Sequence, residues 1–115
     1  VFGIHNGDRS IVENIVWENV RVEHHFDKLV DIRVLHSRWN TDPERGQIRD
    51  VSLRNIDVAE SPYNPGYTVS LVGGFDAHHR VENLQFENFR LGGRKVSSSD
   101  DLSLFTRHAG GITFH

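Results

Sequence analysis

Cysteine and methionine are both absent from this 115-residue chain, proline occurs three times, and apolar runs extend over only a few positions. Without cysteine there are no disulfides and no thiolate metal sites. The compartment stays open, because reducing and oxidising locations both tolerate a chain without thiols. Short apolar runs leave nothing to cross a bilayer as a helix, and no signal peptide is visible. A dominant sign of charge is missing too. The net charge is −3 with 25% charged residues of both signs, so no broad field gathers nucleic acid or an anionic membrane. A chain of this length supports one domain, expected over residues 1–115. Because it starts at Val1, it reads as a processed product or as a portion of a longer solenoid.

What is present is a repeat. VENIVWENVRVEH (Val12–His24), IRDVSLRNIDVAE (Ile48–Glu60) and VENLQFENFRLGG (Val81–Gly93) are versions of one unit, and Ala109–His115 is a truncated further copy. The copies start 36, 33 and 28 residues apart, the range in which self-similarity implies one supersecondary unit stacked on itself. Within the first copy Ile15 and Trp17 alternate with Val16 and Glu18, the period of a strand with one buried face. Val51 and Leu53, Leu84 and Phe86, and finally Ile112 and Phe114 fall in the same two rows.

Asparagine follows the first alternation in each full copy, at Asn19, Asn55 and Asn88, and a second alternation begins after it. Asparagine tolerates the left-handed backbone region and bonds local backbone groups, so the chain is expected to turn a corner there. An earlier corner is marked by Asn14, Asp50, Asn83 and Gly111. Stacked copies would pass amide hydrogen bonds from one corner to the next, and those of the central Asn55 are expected to be buried. A third strand is predicted between copies, over Leu29–Leu35, Thr68–Val72 and Leu102–Phe105, with Val1–His5 as the remnant of an earlier one. Three strands per copy predict an all-β fold, a right-handed parallel β-helix of three to four coils with three strands in each.

Loops in a stacked fold gather on one face and carry the variable chemistry. The large aromatics in them are Trp39, Tyr63 and Tyr67, the candidate substrate-binding residues. Flat rings beside Arg38, Asp42, Glu44 and Arg45 suit stacking on sugar faces; the plainer reading is that they cover the ends of the apolar column. His24, His25 and Asp27 form one cluster and Asp76, His78 and His79 another. Imidazole with carboxylate suits a divalent metal, yet neighbours on a strand face opposite sides. These are read as ordinary loop histidines, with no metal or cofactor expected. Asp42 with Glu44, and Asp100 with Asp101, are the possible acid pairs for glycoside hydrolysis. Asp100 and Asp101 follow Ser97, Ser98 and Ser99, which reads as a turn with an acidic cap. No phosphate-cradling glycine loop, nucleophile elbow or zincin helix is present.

The runs GQIRDVSLRNIDV and SPYNPGYTVSLVGGFDAHHRVENLQFENFRLGGRKVSS, above all Gly74–Asn88, resemble the late coils of bacterial parallel β-helix enzymes related to polygalacturonases, the family 28 glycoside hydrolases. The resemblance covers most of the chain, from about Asn14 onward. It implies a pectin lyase-like fold, a polysaccharide partner and an extracellular or periplasmic location. In that family catalytic and substrate-binding groups come from N-T-D, D-D, G-H-G and R-I-K motifs on central coils. Here Asn40, Thr41 and Asp42 spell the first but are followed by Pro43 where the family has glycine; Asp100 and Asp101 spell the second but follow the last full copy; G-H-G and R-I-K do not occur. No catalytic residue is therefore assigned. Two functions are expected: a C-terminal β-helix segment of a polysaccharide hydrolase, itself without catalytic residues, or a non-catalytic module that binds glycan or self-associates through exposed coil ends. A third, less favoured, is a small metal-dependent enzyme using the histidine clusters.

Overall fold

A chain of alternating apolar and polar residues, punctuated by asparagine at fixed places, buries one face most simply as strands. The computed structural model describes residues 1–25, 27–59 and 69–115. Its strands are β1 (Phe2–Asn6), β2 (Ile11–Val22), β3 (Val30–Val34), β4 (Gln47–Val58), β5 (Ser70–Gly73), β6 (Val81–Leu91), β7 (Arg94–Lys95), β8 (Leu104–Arg107) and β9 (Ala109–Phe114), with one 3-10 turn at Ser99–Leu102. The short strands form one parallel sheet in the order β1-β3-β5-β8. The long strands form a second, β2-β4-β6, with β9 parallel to β6 and β7 antiparallel to it. The fold is all-β and parallel, and among the described residues neither sheet closes into a barrel.

Register follows the repeat. Ile15 pairs with Val51, Val51 with Leu84 and Leu84 with Ile112, while Trp17, Leu53, Phe86 and Phe114 make the adjoining row. Val51, Leu53, Leu84 and Phe86 are wholly buried. Truncating a buried phenylalanine in such a row costs about 3–5 kcal/mol. Phe86 stacks on Phe114 at 5.1 Å and meets Phe89 edge-on at 5.5 Å. Phe2 of the short-strand sheet packs edge-on against Trp17 and Phe89 of the long-strand sheet, at 5.4 and 6.2 Å. Both sheets therefore close over one core.

The corners lie where the asparagines are. Asn14, Asp50, Asn83 and Gly111 have φ of 59°, 57°, 57° and 62°, and Asn19, Asn55 and Asn88 have 60°, 52° and 47°. Left-handed backbone is costly for most side chains and cheap for asparagine and glycine. What the alternation presents as separate strands is thus one strand in each full copy, paired along its length and bent twice. Amide bonds do pass between copies, but outside the core. Asn19, Asn55 and Asn83 are exposed, because a left-handed residue turns its side chain away from the inner face that its neighbours share. The expected burial of the Asn55 amide is corrected accordingly.

Outward rows alternate in sign. Glu13, Arg49 and Glu82 are consecutive partners, as are Glu18, Arg54 and Glu87, and Arg21, Asp57 and Arg90. Arg49 Nε lies 2.7 Å from Glu13, Arg21 is 2.7 Å from Asp57, and Arg54 Nε is 3.6 Å from Glu87. Opposite charges directly across a pair favour this register, whereas a row of like charge would disfavour it.

Several strand limits differ from expectation, among them β1 at Phe2–Asn6 and β8 running on to Arg107. Thr68 lies outside the described residues, and β5 starts at Ser70. Leu102, expected to open a strand, instead ends the 3-10 turn with its side chain buried, and Ser103 follows at φ 48°. An apolar residue marks burial there without marking conformation.

Candidate functional site

Alternation along β3, β5 and β8 sends Asp31, Arg33, Leu71, Gly73, Phe105 and Arg107 to the outer face of the short-strand sheet. In register, Asp31 partners Leu71 and Leu71 partners Phe105; beside them Arg33 partners Gly73 and Gly73 partners Arg107. The bare position of Gly73 leaves a groove of about 230 Å³, walled by Arg33, Arg107 and Phe105 and floored by Gly73 and Gly74. Phe105 is 60% exposed.

Asp31 fixes one wall. Arg33 donates from Nε to its Oδ1 at 2.6 Å and from a terminal nitrogen to Oδ2 at 3.0 Å, and His5 Nε2 lies 2.9 Å from the same Oδ2. Burial pushes the Asp31 carboxyl up, but the hydrogen bonds from Arg33 and then His5 outweigh it and leave it below the usual aspartate value. Asp31 is therefore an ionised anchor and not a proton donor. Among the described residues the Arg107 side chain has no hydrogen bond or ion pair, so its guanidinium is free for an incoming anion.

The loop from Ser37 to Gln47 is braced from within. Asn40 Oδ1 accepts from the Ser37 amide at 2.6 Å and its hydroxyl at 3.1 Å. Arg45 is buried, donates to the carbonyls of Gly7, Leu35 and Asp42, and lies over the Phe75 ring at 5.9 Å. Asp42 receives the Arg9 side chain at 2.9 Å and the Glu44 amide at 3.0 Å. The Arg9 hydrogen bond, followed by that amide, lowers the Asp42 carboxyl to about 2. Glu44 is 3.7 Å from the same guanidinium. Both carboxylates of the N-T-D loop are thus drawn to Arg9, and Asp42 is held ionised. Trp39 projects from this frame, 77% exposed, with Arg38 over its ring at 4.6 Å. Tyr63 and Tyr67 lie outside the described residues.

Both histidine pairs lie outside the strands, in the segments after β2 and before β6. His24 is exposed, while His25 is buried and neither of its ring nitrogens has a hydrogen-bond partner. Asp76 closes a tight turn, accepting the amides of His78 and His79 at 2.8 and 2.9 Å and the His79 ring at 2.7 Å. Among the described residues no three histidine or acidic side chains converge as a metal would need. Asp101 accepts from the amides of Ser97 and Ser98 at 2.9 and 3.2 Å. Those backbone bonds, led by that of Ser97, hold it below the usual value.

The groove residues Arg33, Gly73, Phe105 and Arg107, with Asp31 and His5 that hold Arg33, were missed by attention to loops. Arg33 lay within the predicted third strand, but Gly73 and Arg107 lay just beyond the predicted ends at Val72 and Phe105, so their alignment with Arg33 was not visible from those bounds. No protein-family model matches the chain, and neither characterised proteins nor solved structures give a match.

Proposed function

We propose that the two parallel sheets are faces of a right-handed parallel β-helix, and that the chain is a C-terminal β-helix segment of a carbohydrate-active enzyme resembling polysaccharide hydrolases. Its own part is to hold a polysaccharide and not to cleave it. The observation that carries this reading is the groove over Gly73, where an unpaired Arg107, an anchored Arg33 and the exposed ring of Phe105 meet. A guanidinium suits the carboxylate of an acidic sugar and an aromatic face suits the C–H side of its ring. Trp39 is a second solvent-facing ring, and Tyr63 and Tyr67 remain proposed contacts. Hydrolysis by paired acids needs one carboxyl held protonated. Asp31, Asp42 and Asp101 are all held below the usual value, which favours binding over catalysis.

Titration of the folded chain with an oligouronide and with a neutral oligosaccharide of equal length tests the reading. The acidic sugar is expected to bind and the neutral one to bind more weakly. Arg107→Ala is expected to lower affinity about tenfold, or 1.4 kcal/mol, with an unchanged melt. No binding by the parent, or equal binding by both Arg107→Ala and Trp39→Ala, would end it.

A second reading, assembly, is favoured by the outer edges of β1 and β2. Each pairs with a neighbour on one side alone among the described residues. Unpaired strand edges are templates for another chain. A sedimentation coefficient that rises with concentration would support it, and a monomer at every concentration would remove it.

A further inference from the structure

Resting on the glycan reading above, we infer that Gly73 is the specificity-determining residue of the groove, its missing side chain being the slot that admits a sugar ring bearing a carboxylate. The fold does not ask for glycine there. Gly73 is absent from the glycines with positive φ, which are Gly92, Gly93 and Gly111. A Cβ at position 73 would find its nearest heavy atom, the Arg107 carbonyl oxygen, at 3.8 Å, an ordinary contact. The next residue is different. A Cβ on Gly74 would fall 2.5 Å from the His108 carbonyl and 2.7 Å from that of His79, so glycine is a packing requirement at 74 and a free choice at 73.

Glycine in a strand weakens it and often marks a bulge, a bend or a close approach by a ligand or another backbone. Gly73 closes β5 and pairs in register with Arg33 of β3 and Arg107 of β8. The gap sits between two guanidinium-bearing neighbours in one outward row. Arg33 is tied to Asp31 through Nε and one terminal nitrogen. Arg107 is unpaired among the described residues. A ring lying on the bare backbone of Gly73 would present its carboxylate toward Arg107 while Phe105 covers the adjoining position. Any side chain at 73 would intrude on that slot, and a β-branched one would obstruct it more than alanine.

The test separates affinity from stability. Gly73→Ala and Gly73→Val are compared with the parent by thermal melt and by titration with an oligouronide and a sulfated oligosaccharide of equal length. Gly73→Val is expected to melt at or above the parent temperature, since valine favours strands, and to bind the oligouronide about tenfold more weakly; Gly73→Ala is expected to fall between. The sulfated sugar, whose anionic group is tetrahedral and bulkier, is expected to bind the parent more weakly than the oligouronide. If Gly73→Val does not fold, the Gly73→Ala comparison decides alone. A parent that binds the oligouronide while both variants bind it equally well overturns this inference and leaves the glycan reading standing. A parent that binds neither sugar overturns both, and a parent that prefers the sulfated sugar overturns the assignment of the slot to a carboxylate.

Discussion

The side-chain amide of Asn55 donates to Oδ1 of Asn19 at 3.2 Å, one copy of the repeat away. Asn88 donates to Asn55 Oδ1 in turn at 3.1 Å, so one corner is linked to the next along the stack. Asn55→Ala removes both bonds and forces alanine to a φ of 52°. The bonds are exposed and individually modest, so the backbone supplies much of the loss, expected at about 1–2 kcal/mol by urea denaturation. Asn55→Gly keeps the backbone relaxed and should lose less. Equal losses for the two variants would mean that the amides alone set the corner.

Arg54 sits between Glu18 and Glu87 in an outward row. Arg54→Glu puts three carboxylates in line and is expected to cost about 1 kcal/mol at low salt. Because the row is partly exposed, added salt should recover much of that loss. A denaturation midpoint independent of both charge and salt would remove charge from the determinants of register.

Arg45 is the buried brace of the Ser37–Gln47 loop, serving the carbonyls of Gly7, Leu35 and Asp42. Arg45→Ala leaves these acceptors without a donor, with an expected loss of about 2–3 kcal/mol. Trp39→Ala in the same loop should change stability by less than about 0.5 kcal/mol, because the indole is largely in water. Proteolysis within this loop should rise for the first variant and not for the second.

Acid sensitivity has two windows. Burial, followed by the nearby N-terminal charge, lowers the His25 imidazole below 6.5. As pH falls below that value the unfolded chain binds a proton that the folded chain resists, so stability declines; above it the effect vanishes. His25→Leu should flatten the curve below about pH 6.5 and raise stability on the acid side of that value. The Arg9–Asp42 contact acts further down, present above 3.8 and lost as pH falls toward about 2. Urea midpoints of parent and variant across pH 4.5–7.5 measure the first window. Parallel curves would place the acid sensitivity elsewhere.

Much of the architecture was legible because stacking translates sequence position directly into spatial position. Ile15, Val51 and Leu84 occupy the same place in each copy and pair in that order. Corner asparagines were legible for a local reason, the low cost of left-handed backbone at that residue. Leu102 was misread because an apolar side chain reports burial, and a 3-10 turn buries leucine as well as a strand does.

The amino-acid order by itself determined the rows of the core, the corners and the pairing of like with like, since each follows from short-range periodicity and a repeat that maps onto itself. Only the tertiary structure decided which outward residues meet. Arg33, Gly73 and Arg107 lie far apart along the chain and become neighbours through strand register. The pairing of Asp42 with Arg9 is of the same kind, a contact 33 residues apart. Charge and space at a surface depend on such distant partners, which no local pattern specifies.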